Sequence, residues 1–176
     1  MAVYHQEKRI WDPGLFDDPP KEWRVSSVGA LLCPWGYDLG LRERARILLV
    51  RRVEDGLWGL PAGRIEPEDE SAKAAIRREV LEETGIEIPI GEFKLFQEIY
   101  HPGGTKVRFI YQAQLPRDLS REIEKLSEVF VDPPGSETDR LSLVSLGSIS
   151  LFEQEAARYM RPEVLREILW CLNISR

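Results

Sequence analysis

A mixed α and β chain, α/β or α+β, is what the sequence predicts, and three observations carry that reading. Short β-favouring runs bounded by Gly, Pro and charged clusters recur, as in "VSSVGALLC" (25–33) and "RILLVRRV" (46–53). A helical pattern over residues 71–84 stands between these strands and a second group, "EFKLFQEIY" (92–100) and "TKVRFIYQAQL" (105–115). Helical spacing then dominates the C-terminal third.

The elements follow in order. Residues 1–24 carry "DPG" and "DDPP", turn-rich punctuation that reads as an arm, and 25–176 read as one domain ending in two helices. Tyr4, Trp11, Phe16 and Trp23 make the arm too aromatic for a free tail, so it is expected to pack on the body or on a second copy in a homodimer. "PWGYDLGLRERA" (34–45) is a loop, and "EDG" (54–56) turns into a brief extended segment, "LWGLPAG" (57–63). The helix over 71–84 is closed by Gly85, where the chain needs a left-handed residue. "HPGG" (101–104) has hairpin chemistry between the two central strands. Leu119, Ile123, Leu126, Val129 and Phe130 fall at helical spacing and predict a helix that either covers the site as a lid or fills a gap in the core, ended by "DPPG". "RLSLVSL" (140–146) alternates as a strand, "SLFEQEAARYM" (150–160) reads as a helix, and Pro162 starts the last one.

Composition limits what the chain can do. Its 176 residues suit a single core, and 43% hydrophobic residues are too many for a disordered chain. A net charge of −6 argues against a sequence-independent grip on nucleic acid, so a phosphate-bearing ligand needs a cation or a local basic cluster. Cys33 and Cys171 form no CxxC pair, which argues against a disulfide framework or a cysteine zinc site. No run approaches the ~18 apolar residues of a membrane span, and the first twenty residues lack a signal core. A cytoplasmic protein without a membrane partner is expected.

The chemistry concentrates in "GRIEPEDESAKAAIRREVLEETGI" (63–86). At 100° per residue, Glu79, Glu82 and Glu83 fall within an arc of about 100°, next to the apolar stripe of Ile76 and Val80. Glu79 and Glu83 are an i,i+4 like-charge pair, which costs an isolated helix ~0.2–0.5 kcal/mol. Arg78 offsets part of this, being one turn before Glu82. Two readings stand at this point: a solvated charged face, or a site for a hard divalent cation, whose preferred ligands are carboxylate oxygens.

Gly63, Glu70 and then "REVLEETGI" (78–86) resemble the Nudix box: a glycine, a glutamate, seven residues, then Arg-Glu-aliphatic-x-Glu-Glu-x-Gly-aliphatic. The family has five residues between the glycine and the first glutamate, and this chain has six. "WGLPAG" is similar to the family's entry into the box, with Ala62 for the first of two glycines, and the strand order over 25–146 is similar to its α/β/α sandwich around a mixed sheet. The resemblance implies metal-assisted hydrolysis, by water attacking phosphorus, of a nucleoside diphosphate linked to another moiety. Mg²⁺ or Mn²⁺ is the implied cofactor and a small-molecule nucleotide the implied partner. Glu79, Glu82 and Glu83 are the implied metal ligands, and Arg78 the residue that orients a glutamate, Glu82 by spacing or Glu79 by analogy. The general base is sought first at Glu79 or Glu83, with Glu137 in "GSETD" as a loop alternative to a plain solvated residue. His101 either touches substrate from its hairpin or is simply exposed; Trp58 either stacks on a base or packs under the loop. Pro102 lies about where relatives acting on ADP-ribose or nucleotide sugars carry a proline. A non-catalytic nucleotide-binding or sensing module on the same fold is the alternative.

Overall fold

The computed structural model describes residues 24–36, 46–100, 106–123, 129–130, 137–147 and 153–173. Residues 1–23 of the arm, His101, Pro102, the "HPGG" turn and Leu126 lie outside the described residues, while Arg24, read as the arm's last residue, begins the first strand. The strands are β1 (Arg24–Cys33), β2 (Arg46–Arg52), β3 (Trp58–Gly59), β4 (Ala62–Arg64), β5 (Lys94–Tyr100), β6 (Lys106–Gln114), β7 (Val129–Phe130) and β8 (Thr138–Ser145). The helices are α1 (Ala72–Thr84), α2 (Arg117–Ile123), α3 (Glu153–Ala156) and α4 (Pro162–Asn173), with a 3₁₀ turn at Ile90–Glu92.

The expected mixed sheet has the order β4-β1-β6-β5, its parallel pair being β1 and β6. Beside it lies a second sheet, β3-β2-β8-β7, whose described pairings are all antiparallel. Strand alternation sorts the core into two layers. Val28, Ala30 and Leu32 of β1 and Leu48 and Val50 of β2 pack with Ala75, Ile76 and Val80 of α1. Leu31 and Cys33, with Ile47 and Leu49, pack on the other side with Val164, Leu165 and Ile168 of α4. Helix, strands and helix thus form three layers, an α/β/α arrangement.

Three segments depart from expectation. Val129 and Phe130, read as the end of a helix, pair with Leu141 and Arg140 as β7, because a cross-strand partner outweighs a short apolar spacing. The segment "LWGLPAG" is not one extended piece. Trp58 and Gly59 pair with β2, whereas Ala62, Gly63 and Arg64 pair with β1, so Leu60 and Pro61 carry the chain from one sheet to the other. Of the helix expected over 150–160, the described residues 153–160 form a single helical turn, Glu153–Ala156.

α1 begins where its cap permits. Ser71 accepts from the Ala74 N–H at 3.1 Å, and Gly85, at φ 70°, donates its N–H to Leu81 O at 2.8 Å. The C-terminal end of α1 is tied to β8 by Thr138 Oγ1, which donates to the Glu83 carbonyl. That tie brings Glu137 beside the helix's inner face.

Candidate active site

A cavity of about 940 Å³ opens between the sheet crossover, α1 and the start of α4. Glu79, Glu82, Glu83 and Arg78 line one side of it, and Arg52, Arg108 and Arg161 come from other elements.

Arg78 is the hub of the α1 side. Its Nε and Nη2 donate to the two oxygens of Asp69 at 3.1 and 2.9 Å, Nη2 also donates to Arg64 O at 3.0 Å, and Nη1 donates to Glu79 Oε1 at 2.8 Å and Glu82 Oε2 at 3.1 Å. Glu79 and Glu82, the two candidates that sequence leaves open as partners, are therefore both held. The bidentate fork is what a planar guanidinium does well and an ammonium does not. Its carboxylate is Asp69, not Glu70: Glu70 is exposed and is no part of the cavity wall. The extra residue in the loop is absorbed this way, since five residues lie between Gly63 and Asp69, the family's own spacing. Arg78's pKa is pushed up, first by the Asp69 hydrogen bond, and Asp69 is held below the usual carboxylate range by the same contact.

Gly63 has a steric role. A Cβ at this position would lie 2.0 Å from the Glu79 carboxyl carbon, so only a glycine lets that carboxylate rest against β4. Glu83 is 5% exposed, and its Oε2 accepts from the Ala62 N–H at 2.8 Å. Burial pushes its carboxyl up to about 7; the Ala62 N–H opposes that shift, and the Glu79 charge adds to it. Glu79 is raised by burial too, against the pull of Arg78 and with a push from Glu82 and Glu137. Glu82 is different: its side chain is 58% exposed. Among the described residues no group of three or more His, Cys, Asp or Glu is gathered close enough to hold a metal ion.

Across the cavity, Glu137 Oε2 accepts from Arg52 Nη2 at 3.2 Å. A register irregularity between Arg51 and Arg52 sets Arg52 opposite Thr138, while Arg51 pairs with Asp139. Trp58 takes the plainer of its two readings. It packs against the α4-side core, its backbone N–H donates to Tyr159 O at 2.8 Å, and it does not line the cavity. Sequence reasoning missed Asp69, Arg52, Arg108 and Arg161. For Asp69 the spacing signals conflict, since counting from Gly63 points to it and counting back from Arg78 points to Glu70; the arginines sit in strands or turns that carry no local motif.

A family model described as the NUDIX domain matches residues 39–165, well over half of the sequence. The chain belongs to the Nudix family. Curated Nudix relatives match it over short stretches. A MutT-like protein of Streptomyces ambofaciens is 44% identical over 52 residues, 30% of this chain and 33% of that one. A putative 8-oxo-dGTP diphosphatase of Bacillus subtilis strain 168 is 56% identical over 45 residues, 26% and 30% of the two chains. The CTP pyrophosphohydrolase of Escherichia coli strain K12 is 44% identical over 57 residues, 30% and 42%. The chain thus spans less than half the length of the curated relatives it matches. Among solved structures, a Nudix hydrolase from Nitrosomonas europaea aligns over 86% of this chain and 90% of that one, with a TM-score of 0.55 at 22% identity. A Nudix hydrolase of M. smegmatis aligns over 86% of both chains, with a TM-score of 0.50 at 18% identity. These likenesses are to the Nudix fold. No helix among the described residues is long and apolar enough to cross a membrane.

Proposed function

We propose that the chain hydrolyses the diphosphate linkage of a nucleoside diphosphate joined to another moiety, with a divalent cation, Mg²⁺ or Mn²⁺. The observation that carries this reading is the Arg78 clamp. One guanidinium fixes Glu79 and Glu82 at the mouth of a cavity whose wall holds the buried Glu83. The donor set suits such a cation: it is all carboxylate oxygen, and the Glu79 charge opposes ionisation of the buried Glu83 until a positive charge is present. Glu79, Glu82 and Glu83 would hold it. When bound, the cation neutralises the diphosphate and polarises the phosphoryl oxygens.

The chain's own residues do the rest. Asp69 and Arg78 keep Glu79 in one orientation, the Ala62 N–H does the same for Glu83, and Gly63 leaves the space that Glu79 fills. Arg52 and Arg64 line the cavity and supply the local positive charge that an acidic protein otherwise lacks for phosphate. The proton of the attacking water goes to a glutamate of the wall, Glu79 or Glu83 on the helix or Glu137 opposite; pH–rate profiles of the three Gln variants separate them.

The test is hydrolysis by the native chain, with Mg²⁺ or Mn²⁺, of nucleoside triphosphates, nucleotide sugars and ADP-ribose. The first follow from what the relatives are named for, the others from Pro102. Release of a monophosphate from at least one compound, with a large loss in Glu83→Gln, is expected; undiminished activity in that variant would remove Glu83 from the mechanism. A non-catalytic nucleotide-binding module is favoured by two observations: Arg78 already occupies Glu79 and Glu82, and among the described residues no three carboxylates are gathered closely enough to hold a metal ion. Nucleotide binding without turnover on the whole panel would establish that reading instead.

A further inference from the structure

The cavity's other end closes on a second charged pair. Arg108 Nε of β6 and Glu167 Oε1 of α4 lie 2.9 Å apart, with side chains only 17% and 9% exposed. Alternation along β6 sends Val107 and Phe109 to the α1 side, so Arg108 lies beneath α4, on the side of Ile110. A buried pair of this kind is costly unless its remaining hydrogen bonds are made. Here they are not. Arg108 Nε and Glu167 Oε2 are buried without an aligned hydrogen-bond partner among the described residues, and Arg108 lines the cavity. The guanidinium is admitted by Gly29, where a Cβ would come within 3.0 Å of Arg108 Nη2.

Strand register supplies a ruler. Ser27 pairs with Arg64 of β4 on one side and with Arg108 of β6 on the other. Two ladder spacings put the Arg108 backbone about 10 Å from the strand on which the Glu79 carboxylate rests, the reach of one nucleoside. The wall at this end is partly apolar, through Leu60 and Val164. Its charge is nearly balanced, since Arg161 is taken by Asp55 at 2.5 Å and Glu163 stands nearby. A balanced, partly apolar pocket suits an aromatic ring with a polar edge better than another phosphate.

We infer that Arg108, held in place by Glu167, reads the nucleobase by donating its guanidinium fork to two adjacent acceptors. This favours guanine (O6 and N7) or cytosine (N3 and O2) over adenine and uracil, whose acceptors are each separated by, or adjoin, an N–H donor. Glu167 is a positioning residue. The inference rests on the proposed nucleotide substrate, yet binding tests it apart from catalysis.

The experiment is titration of the full chain, with Mg²⁺, by GMP, CMP, AMP and UMP. GMP or CMP is expected to bind about tenfold more tightly than AMP and UMP. Arg108→Lys keeps a charge opposite Glu167 but lacks the fork, so the preference should collapse with the AMP Kd unchanged. Gly29→Ala, which crowds the guanidinium, and Glu167→Gln should each lower the ratio of Kd values while AMP affinity holds, a change that a merely structural pair would not produce. Absence of binding, absence of a base preference in the native chain, a preference that survives Arg108→Lys, or an equal loss for all four nucleotides would each overturn the inference. The hydrolysis panel is scored separately: turnover without base preference removes the role of Arg108 alone, and base preference without turnover removes the hydrolase reading alone.

Discussion

Gly63 and Glu83 concentrate the chemistry of single residues. A methyl group at Gly63 meets the Glu79 carboxylate at 2.0 Å, so Gly63→Ala must displace that side chain or the strand beneath it. Displacement by about 1 Å is enough to cost on the order of a hundredfold in rate, and kcat should fall that far while the protein still folds. Glu83 gives a sign that can be checked by pH. Its folded-state pKa, about 7, lies above its ordinary value of 4.5, so the folded state holds the proton more tightly than the unfolded one. The stability linked to this group is fully present below pH 4.5 and is lost as pH rises through 7. In metal-free protein, Glu83→Gln should therefore lie above the native chain in Tm at pH 8 and match it near pH 4.5. The gap in free energy should be no more than about 3 kcal/mol. A gap that widens toward acid would contradict it. Glu83 was visible in the sequence as one of three glutamates, but its isolation from water was not, because burial depends on where β4 and β8 lie.

At the scale of elements, the box divides into a helix that local rules specify and a loop that they do not. Ser71, Gly85 and the Ile76/Val80 stripe set α1 without outside help, and Ser71→Ala should cost about 1 kcal/mol, read from denaturant unfolding. The loop is decided by contact. Six residues separate Gly63 from Glu70, and the chain resolves the mismatch by giving Arg78 a shorter acid, one position earlier. Asp69→Asn should then lower kcat with Glu70→Gln nearly neutral, measured side by side; the reverse order would mean that the loop rearranges in the working enzyme. The strand at Val129–Phe130 illustrates the same limit. Apolar spacing over 119–130 fits a helix, and only β8 supplies the edge that makes its end a strand.

The whole molecule sets its functional residues on the seam between two sheets. The chain crosses that seam at Leu60 and Pro61, and the crossing places Ala62 and Gly63 against the carboxylates of α1. A cation bound only by the folded state raises stability by RT ln(1 + [L]/Kd), about 2.7 kcal/mol at a hundredfold excess over Kd. Titration of Mg²⁺ or Mn²⁺ should accordingly raise Tm in the native chain and fail to do so in Glu83→Gln. No shift at millimolar metal would speak for the solvated face that the charge pattern alone also allowed.

By itself the sequence determined the longer strands and helices and their order, the carboxylates of α1 and the arginine among them, because helical period, capping and turn residues act over a few positions. The family could be read from the same stretch. Tertiary structure alone decided that Asp69 and not Glu70 engages Arg78, that Trp58 packs against the core, and that Glu82 stays exposed while Glu83 is buried. It also decided that Arg52, Arg108 and Arg161 share a cavity with the glutamates. Those outcomes turn on which distant backbone comes within a few ångströms, through strand register and the crossover between sheets, and no local pattern encodes that distance.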